Sequence, residues 1–249
     1  PWDLGSARML ESLGFKALAT TSSGFAWSRA RPDNGITLEL ALAHLAEMVE
    51  GTSVPINADF EGGFAADAAG VEANVRLAVQ TGIAGLSIED STGDAAHPLH
   101  AIDVAAERIR AARRAIDRSG GDTLLVGRAE CFLVGRPDLD ETIARLKRYA
   151  DAGADCLYAP GLKTREQLAK VVQAVAPKPF NLLVSAPGQL SFEDIAALGV
   201  RRISVGGALA RTAWAGFLRA SRRLAQGRFD GLADAAPGQE LNALFSPKP

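Results

Sequence analysis

The chain has 249 residues, 47% of them hydrophobic, and a formal net charge of −2 at pH 7. This length and apolar content suffice for one large α/β domain or two small ones. The charge gives no electrostatic basis for binding nucleic acid, and no apolar run approaches the roughly 20 residues that cross a bilayer. The only two cysteines, Cys131 and Cys156, form neither a disulfide framework nor a metal-ligand spacing, which favours a reducing, cytoplasmic location.

Short apolar runs recur along the chain and predict parallel strands that are buried on both faces. They cover residues 16–20, 54–58, 83–88, 123–127, 156–158, 180–184 and 202–205. Helical patterns separate these runs, and a further helix at residues 6–13 precedes the first of them. A strand at or just before Trp2-Asp3 would bring the number to eight. Eight parallel strands with crossover helices predict a (β/α)8 barrel of the TIM type.

The alternative architecture is a doubly wound open sheet. No Gly-x-Gly-x-x-Gly follows the first run, so the dinucleotide-binding fingerprint of that architecture is missing. No linker or shift in composition divides the chain, which predicts a single domain over residues 1–249. About residues 1–210 would form the barrel and about 211–249 a C-terminal helical extension. Trp214 and Phe217 in that extension pack either on the outside of the barrel or against another subunit.

Acidic residues follow two neighbouring strands of the predicted barrel. Asp59 and Glu61 come after the run at residues 54–58, and Glu89 and Asp90 end the next one. Side chains at the ends of parallel barrel strands converge on one rim, so these carboxylates are expected to meet. Such a cluster suits a hard divalent cation such as Mg²⁺. Asp33, by contrast, is expected from its sequence context alone to be a residue of a turn.

Other polar residues are placed to bind an anion. Arg128 ends the run at residues 123–127 and needs an anionic partner, which is either a substrate carboxylate or an acid such as Glu130. The segment at residues 20–24 ends its strand in hydroxyl groups and a glycine, so it either holds an anion through backbone N–H groups or forms a polar turn. Gly206-Gly207 allows a phosphate site before the last helix, although the acidic rim would repel phosphate without a metal.

Two histidines, His97 and His100, lie in a polar stretch after Glu89-Asp90. They either belong to a lid that carries a general acid or base, or are simply solvated. The sequence contains none of the common motifs for a covalent nucleophile.

Taken in chain order, several motifs resemble those of the isocitrate lyase/phosphoenolpyruvate mutase superfamily. They are Trp2-Asp3-Leu4-Gly5-Ser6-Ala7, Gly14-Phe15-Lys16-Ala17, Ser23-Gly24-Phe25, Pro32-Asp33, Val54-Pro55-Ile56-Asn57-Ala58-Asp59, Ile88-Glu89-Asp90, Gly127-Arg128-Ala129-Glu130 and Ala152-Gly153-Ala154-Asp155. The resemblance implies a barrel enzyme that uses Mg²⁺, with Mn²⁺ as a substitute. Its substrate would be a small α-oxoacid, and its chemistry would take place beside an enolate.

The resemblance also implies roles for individual residues. Asp59 would be the direct metal ligand, with Glu61 and Glu89 holding metal-bound waters. The catalytic set would comprise Arg128, Asp33 and His97. Substrate-binding residues would be Ser22, Ser23, Gly24, Phe25, Asp59, Arg128, Asn181 and Ser204. Exchange of a C-terminal helix between subunits would give a homodimer or homotetramer.

Departures from the superfamily pattern narrow the predicted reaction. The stretch at residues 91–97 has no cysteine or lysine where isocitrate and methylisocitrate lyases carry a Lys-Lys-Cys-Gly-His lid. The lid lysine and asparagine of phosphonopyruvate-acting members are missing as well, and Pro160 replaces a later histidine or glutamate. These features favour C–C cleavage or decarboxylation of a small oxoacid or hydroxyacid through a metal-stabilised enolate. The alternatives are phosphonopyruvate-type P–C chemistry and a non-catalytic oxoacid-binding protein.

Overall fold

A computed structural model describes residues 1–188 and 190–246 of the chain. Within them, parallel strands form one sheet in which each strand pairs with the next along the sequence. The strands are β1 (Leu18–Ala19), β2 (Ile56–Asp59), β3 (Gly85–Glu89), β4 (Leu124–Arg128), β5 (Cys156–Tyr158), β6 (Phe180–Leu183) and β7 (Arg202–Ser204). Every apolar run that predicted a strand overlaps one of these seven strands. The sheet alternates with helices and is a nearly closed barrel of the (β/α)8 TIM type, as expected.

Ten α-helices occur in the described residues, and most begin with a side-chain cap. They are α1 (Leu4–Ser12), α2 (Ser22–Ser28), α3 (Leu38–Glu50), α4 (Ala68–Gln80), α5 (Ile102–Arg118), α6 (Leu139–Asp151), α7 (Arg165–Val175), α8 (Phe192–Ala197), α9 (Ala208–Leu224) and α10 (Gly238–Phe245). Helix α2 is not apparent in the sequence, because its hydroxyl-rich start looks like a turn. Thr21 caps it by accepting from the Gly24 N–H, and the apolar Ala26 then lies buried.

The expected eighth strand is not formed among the described residues. Asp3 instead caps α1 by accepting a hydrogen bond of 2.7 Å from the Ser6 N–H, and this commits Trp2-Asp3 to the start of a helix. One backbone hydrogen bond of 3.1 Å, from the Thr21 N–H to the Pro1 carbonyl, lies beside β1. The helices that follow β1 and β7, α2 and α9, are closely packed. A Cβ on Gly24 of α2 would lie 3.1 Å from the Cβ of Ala210 on α9.

Alternation along the strands separates the core from the site. In β2 and β3, Ile56, Ala58, Leu86 and Ile88 belong to the main hydrophobic core, together with apolar residues of the surrounding helices. The intervening side chains point to the other face of the sheet because the side-chain period of a strand is two. The register places Glu89 opposite Arg128 at the carboxyl ends of β3 and β4. The fold therefore collects charged side chains at one end of the barrel.

Helix α9 exposes an apolar face. Trp214 and Phe217 are 40% and 61% exposed, and their rings form an edge-to-face pair with centroids 5.9 Å apart. On β7, Ile203 is also partly exposed, whereas the later helix α10 packs on α1 of its own chain. Residues 247–249, the end of the expected extension, lie outside the described residues. None of the helices in the described part of the chain is long and apolar enough to cross a bilayer.

The exchange of a helix between subunits remains a prediction, and the exposed face of α9 makes it testable. If Trp214 and Phe217 lie in a subunit contact, sedimentation velocity should show a dimer or tetramer for the wild type. The double variant Trp214→Ser/Phe217→Ser should sediment as a smaller species. Phe192→Ser provides the control, because Phe192 is 69% exposed on α8. A monomeric wild type would refute the prediction.

Candidate active site

Arg128 lies at the centre of the charged residues at the carboxyl end of the barrel. Its Nη1 is 3.2 Å from Asp59 Oδ1 and 3.0 Å from Glu89 Oε2, and its Nε donates to Glu130 Oε1. The guanidinium also lies 5.2 Å from the centre of the Tyr158 ring. The Arg128 side chain is only 15% exposed, so these ion pairs are largely shielded from water. Arg128 therefore contacts Glu130, the acid expected from the sequence, and also Asp59 and Glu89 at the rim.

The hydroxyl-rich segment after β1 holds an anion, and that anion is the carboxylate of Asp59. Asp59 Oδ2 accepts from the Ser22 N–H at 3.0 Å and from the Ser22 hydroxyl at 2.8 Å. The Asp59 N–H in turn donates to Thr20 Oγ1. These contacts fix the predicted metal ligand from two sides.

The other residues of this segment are engaged within the fold. The Gly24 and Phe25 N–H groups donate to Thr21, and the Ser23 hydroxyl lies 3.0 Å from the Thr21 hydroxyl. The Phe25 ring stacks on buried His44 with centroids 3.9 Å apart. The predicted backbone donors at Gly24 and Phe25 thus already have partners in this structure.

Glu61 and Glu89 extend the acidic cluster around Asp59. The Glu61 carbonyl accepts from the Glu89 N–H at 3.0 Å, and Ser91 donates to Glu89 Oε1 at 2.7 Å. Burial and the charges of Asp59, Glu89 and Asp33 raise the pKa of Glu61 to about 8, although Arg128 opposes the shift. Burial also raises the pKa of Glu89 and of Glu130. Acids outnumber the single arginine, and the cluster is short of positive charge.

Asp90 follows Glu89 in sequence but makes different contacts. It is 2% exposed, and its carboxylate accepts from the Glu130 N–H at 2.8 Å, Arg145 Nη1 at 3.0 Å and the Tyr149 hydroxyl at 2.5 Å. Asp90 therefore ties the start of the β4–α6 loop to helix α6. The sequence offered one overlooked signal, since Arg145 and Tyr149 are about one helical turn apart and therefore lie on the same side of α6.

A cavity of about 550 Å³ opens beside Arg128 and Glu89. Asp33 lies at its mouth, where desolvation and the charge of Asp59 raise the pKa of Asp33. The lining of the cavity also includes a small apolar surface, formed by Ala95, Pro98, Leu133 and Val134.

The stretch after β3, which was predicted to be a lid, forms a loop beside the cavity with its own hydrogen bonds. An antiparallel bridge joins Ser91 to Leu99, and the Thr92 N–H donates to the Pro98 carbonyl. Asp94 accepts from the Ala96 N–H and lies 3.3 Å from Nδ1 of His97. The His97 side chain is 86% exposed and is not among the residues that line the cavity.

Two further predicted substrate residues lie on the strands β6 and β7. Asn181 on β6 donates from Nδ2 to the Ser204 hydroxyl at 2.9 Å, and its Oδ1 is buried with no partner among the described residues. Neither residue lines the cavity beside Arg128. Of the predicted site residues, Ser22, Asp33, Glu89 and Arg128 line the cavity, and Asp59 and Glu61 lie beside them in the charged cluster. The others do not line it: Ser23, Gly24, Phe25, His97, Asn181 and Ser204.

Comparisons with known proteins place relatives along the whole chain. The family model described as phosphoenolpyruvate phosphomutase matches residues 1–225. A solved structure from Burkholderia cenocepacia J2315, described as a candidate lyase/mutase, is 46% identical with a TM-score of 0.96, covering 100% of this chain and 90% of that one. Oxaloacetate decarboxylase from Paraburkholderia xenovorans is 31% identical over 81% of this chain and 67% of its own. The structure of oxaloacetate acetylhydrolase with the product oxalate is 28% identical with a TM-score of 0.87, covering 98% of this chain and 86% of that one.

The Asp90 network predicts a large difference between two arginines of α6. Arg145→Ala would leave the Asp90 charge buried without its ion-pair partner, so we expect a loss of about 3–5 kcal/mol in the free energy of unfolding. Arg148→Ala is the matched control, because Arg148 pairs with Asp103 at the surface and should lose nothing measurable. Urea unfolding of the two variants checks this. Equal losses would show that Asp90 does not depend on Arg145.

Proposed function

The chain belongs to the phosphoenolpyruvate phosphomutase family, within a superfamily of lyases and mutases, and from that premise we propose that it is a lyase acting on a small α-oxoacid or related hydroxyacid. The reaction is C–C bond cleavage or decarboxylation with the help of Mg²⁺. One observation carries the proposal: an acidic cluster surrounds one arginine at the ends of three adjacent strands, beside a cavity of about 550 Å³. Relatives named for activities on oxaloacetate support the same substrate class.

The residues of the cluster fit a hard divalent cation. The side chains of Asp59, Glu61 and Glu89 offer only oxygen donors, and the buried Oε1 of Glu61 has no hydrogen-bond partner among the described residues. No three His, Cys, Asp or Glu side chains in that part of the chain are arranged as a direct ligand set. We therefore assign Asp59 as the direct ligand and place Glu61 and Glu89 behind bound waters. When bound, the cation supplies Lewis-acid stabilisation of negative charge on a substrate oxygen.

Arg128 supplies the complementary charge for the substrate. Its Nε and Nη1 are engaged by acids, whereas Nη2 makes no hydrogen bond within residues 1–188 and 190–246. This Nη2 donor would bind a substrate carboxylate. In decarboxylation the bond to the leaving carboxylate breaks, and its electron pair moves towards the α-carbonyl to form an enolate. A buried guanidinium beside that charge stabilises it more strongly than water would.

Proton transfer and specificity are assigned to the mouth of the cavity. Asp33 lies there, and His97 on the lid completes the proposed catalytic set, provided that the lid turns its side chain inward. The apolar surface of Ala95, Pro98, Leu133 and Val134 suits a hydrocarbon substituent at the far end of the substrate. Asn181 on β6 and Ser204 on β7 are proposed to contact the variable end of the substrate.

A substrate panel tests the function. With Mg²⁺ present, oxaloacetate, isocitrate, methylisocitrate and phosphonopyruvate are each followed for release of pyruvate or glyoxylate. We expect turnover of oxaloacetate or a related small acid, loss of that turnover on chelation of the metal, and loss of it in Asp59→Ala, which removes the direct ligand. Robust isocitrate cleavage would contradict the interpretation of the lid. Binding of oxoacids without turnover of any of them would favour the non-catalytic alternative.

The role of Arg128 predicts that charge alone is insufficient. Arg128→Lys keeps the positive charge but loses the planar fork that reaches several carboxylates at once. Since charge-assisted hydrogen bonds contribute roughly 1.5–3 kcal/mol, we expect at least about a tenfold loss of oxoacid affinity. Calorimetric titration with oxalate in the presence of Mg²⁺ measures it, with Arg136→Lys in the β4–α6 loop as the control. Wild-type affinity in the Arg128 variant would remove Arg128 from the substrate site.

A further inference from the structure

Two side chains bind five consecutive backbone carbonyls in the loop that follows β2. Arg108 of α5 donates to the carbonyl of Gly62, to that of Ala65 at 2.9 Å and to that of Ala66 at 3.1 Å. Asn74 of α4 donates to the two carbonyls between them, those of Gly63 and Phe64, at 3.0 Å each. Surface loops usually leave such groups to water. Here helices α4 and α5 hold the whole turn.

Arg108 is an unusual residue for a purely stabilising role. It is 3% exposed, and among the described residues no carboxylate lies within salt-bridge distance of its guanidinium. Its charge is compensated by carbonyl dipoles, and its Nε lacks a partner in that part of the chain. Burial of an unpaired charge is unfavourable. By contrast, Arg114 of the same helix forms ion pairs with Glu72 and Glu107 near the surface.

The turn held in this way carries backbone strain next to the acidic cluster. Glu61 has a φ of +47° and Phe64 a φ of +53°, in the left-handed region that residues other than glycine seldom adopt. Such conformations persist only where the surroundings over-determine them. The Glu61 carbonyl is also bound by the Glu89 N–H, so the strained residue connects the turn to the cluster.

We infer that Arg108 and Asn74 are positioning residues for Glu61. By binding the carbonyls of residues 62–66 they hold the turn in the conformation that keeps the Glu61 carboxylate beside Asp59 and Glu89. Neither residue lines the cavity, so both act through Glu61. The inference rests on the proposed function, because it takes Glu61 as part of the cation site.

Cation binding by the purified full chain tests the inference without any measurement of activity. Free Mn²⁺ is counted by electron paramagnetic resonance during titration of the wild type, Arg108→Gln and Asn74→Asp. Both variants should bind Mn²⁺ about 10-fold more weakly or worse, as is typical when residues behind metal ligands are removed. Arg114→Gln, on the same helix, should bind like the wild type.

A second background separates positioning from a general loss of structure. In Glu61→Gln, introduction of Arg108→Gln should cause no further loss of Mn²⁺ affinity, because the carboxylate that Arg108 positions is already gone. If Arg108→Gln lowered the Mn²⁺ affinity by the same factor in the wild-type and Glu61→Gln backgrounds, the inference would be overturned. Unchanged Mn²⁺ affinity in Arg108→Gln and Asn74→Asp would also overturn it. If Arg108→Gln does not fold, Asn74→Asp and Arg108→Lys carry the same comparison. A wild type that binds no Mn²⁺ would overturn the proposed function, and this role of Glu61 with it.

Discussion

The site is organised around a charge imbalance: one guanidinium faces several carboxylates in a largely buried position. Arg128 contacts Asp59, Glu89 and Glu130 at once. Burial raises the pKa values of Glu61, Glu89 and Glu130, the neighbouring carboxylates raise them further, and the single positive charge of Arg128 opposes these shifts only in part. Much of the surrounding structure serves to hold these acids together. Ser22 fixes Asp59, and the hydrogen bond from the Glu89 N–H to the Glu61 carbonyl joins the end of β3 to the loop after β2.

Much of this arrangement is readable from sequence, for physical reasons that apply to each element. Strands that are largely buried appear as apolar runs, and each predicted run therefore overlaps a strand. Because such strands are parallel, their carboxyl ends lie at the same rim of the barrel. The proximity of Asp59, Glu89 and Arg128 is therefore expected from the sequence alone. The resemblance to the superfamily is confirmed by the family match over residues 1–225.

The features that could not be predicted from the sequence depend mainly on contacts between residues that are distant along the chain. Nothing near Asp90 indicates that it is bound by Arg145 and Tyr149 of a later helix rather than facing the cavity. Helix α2 was hidden because its capping residues are also turn residues. In sequence, Arg108 resembles Arg110, Arg114 and Arg118, the more exposed arginines that follow it in α5, and only the structure shows that Arg108 is buried against a loop. The expected eighth strand does not form at Trp2-Asp3, because Asp3 serves as a helix cap.

The lid has a consequence for how such a protein can change. The turn at its tip is held by contacts inside the lid itself, among them the Thr92–Pro98 hydrogen bond and the Asp94–Ala96 hydrogen bond. The tip residues Gly93 and Ala95 therefore carry little of the folding load of the barrel, although both line the cavity. Mutations of Gly93 or Ala95 can change the shape of the cavity while the cluster around Arg128 keeps its geometry. Substrate specificity can therefore evolve through changes in this loop with little effect on the stability of the fold.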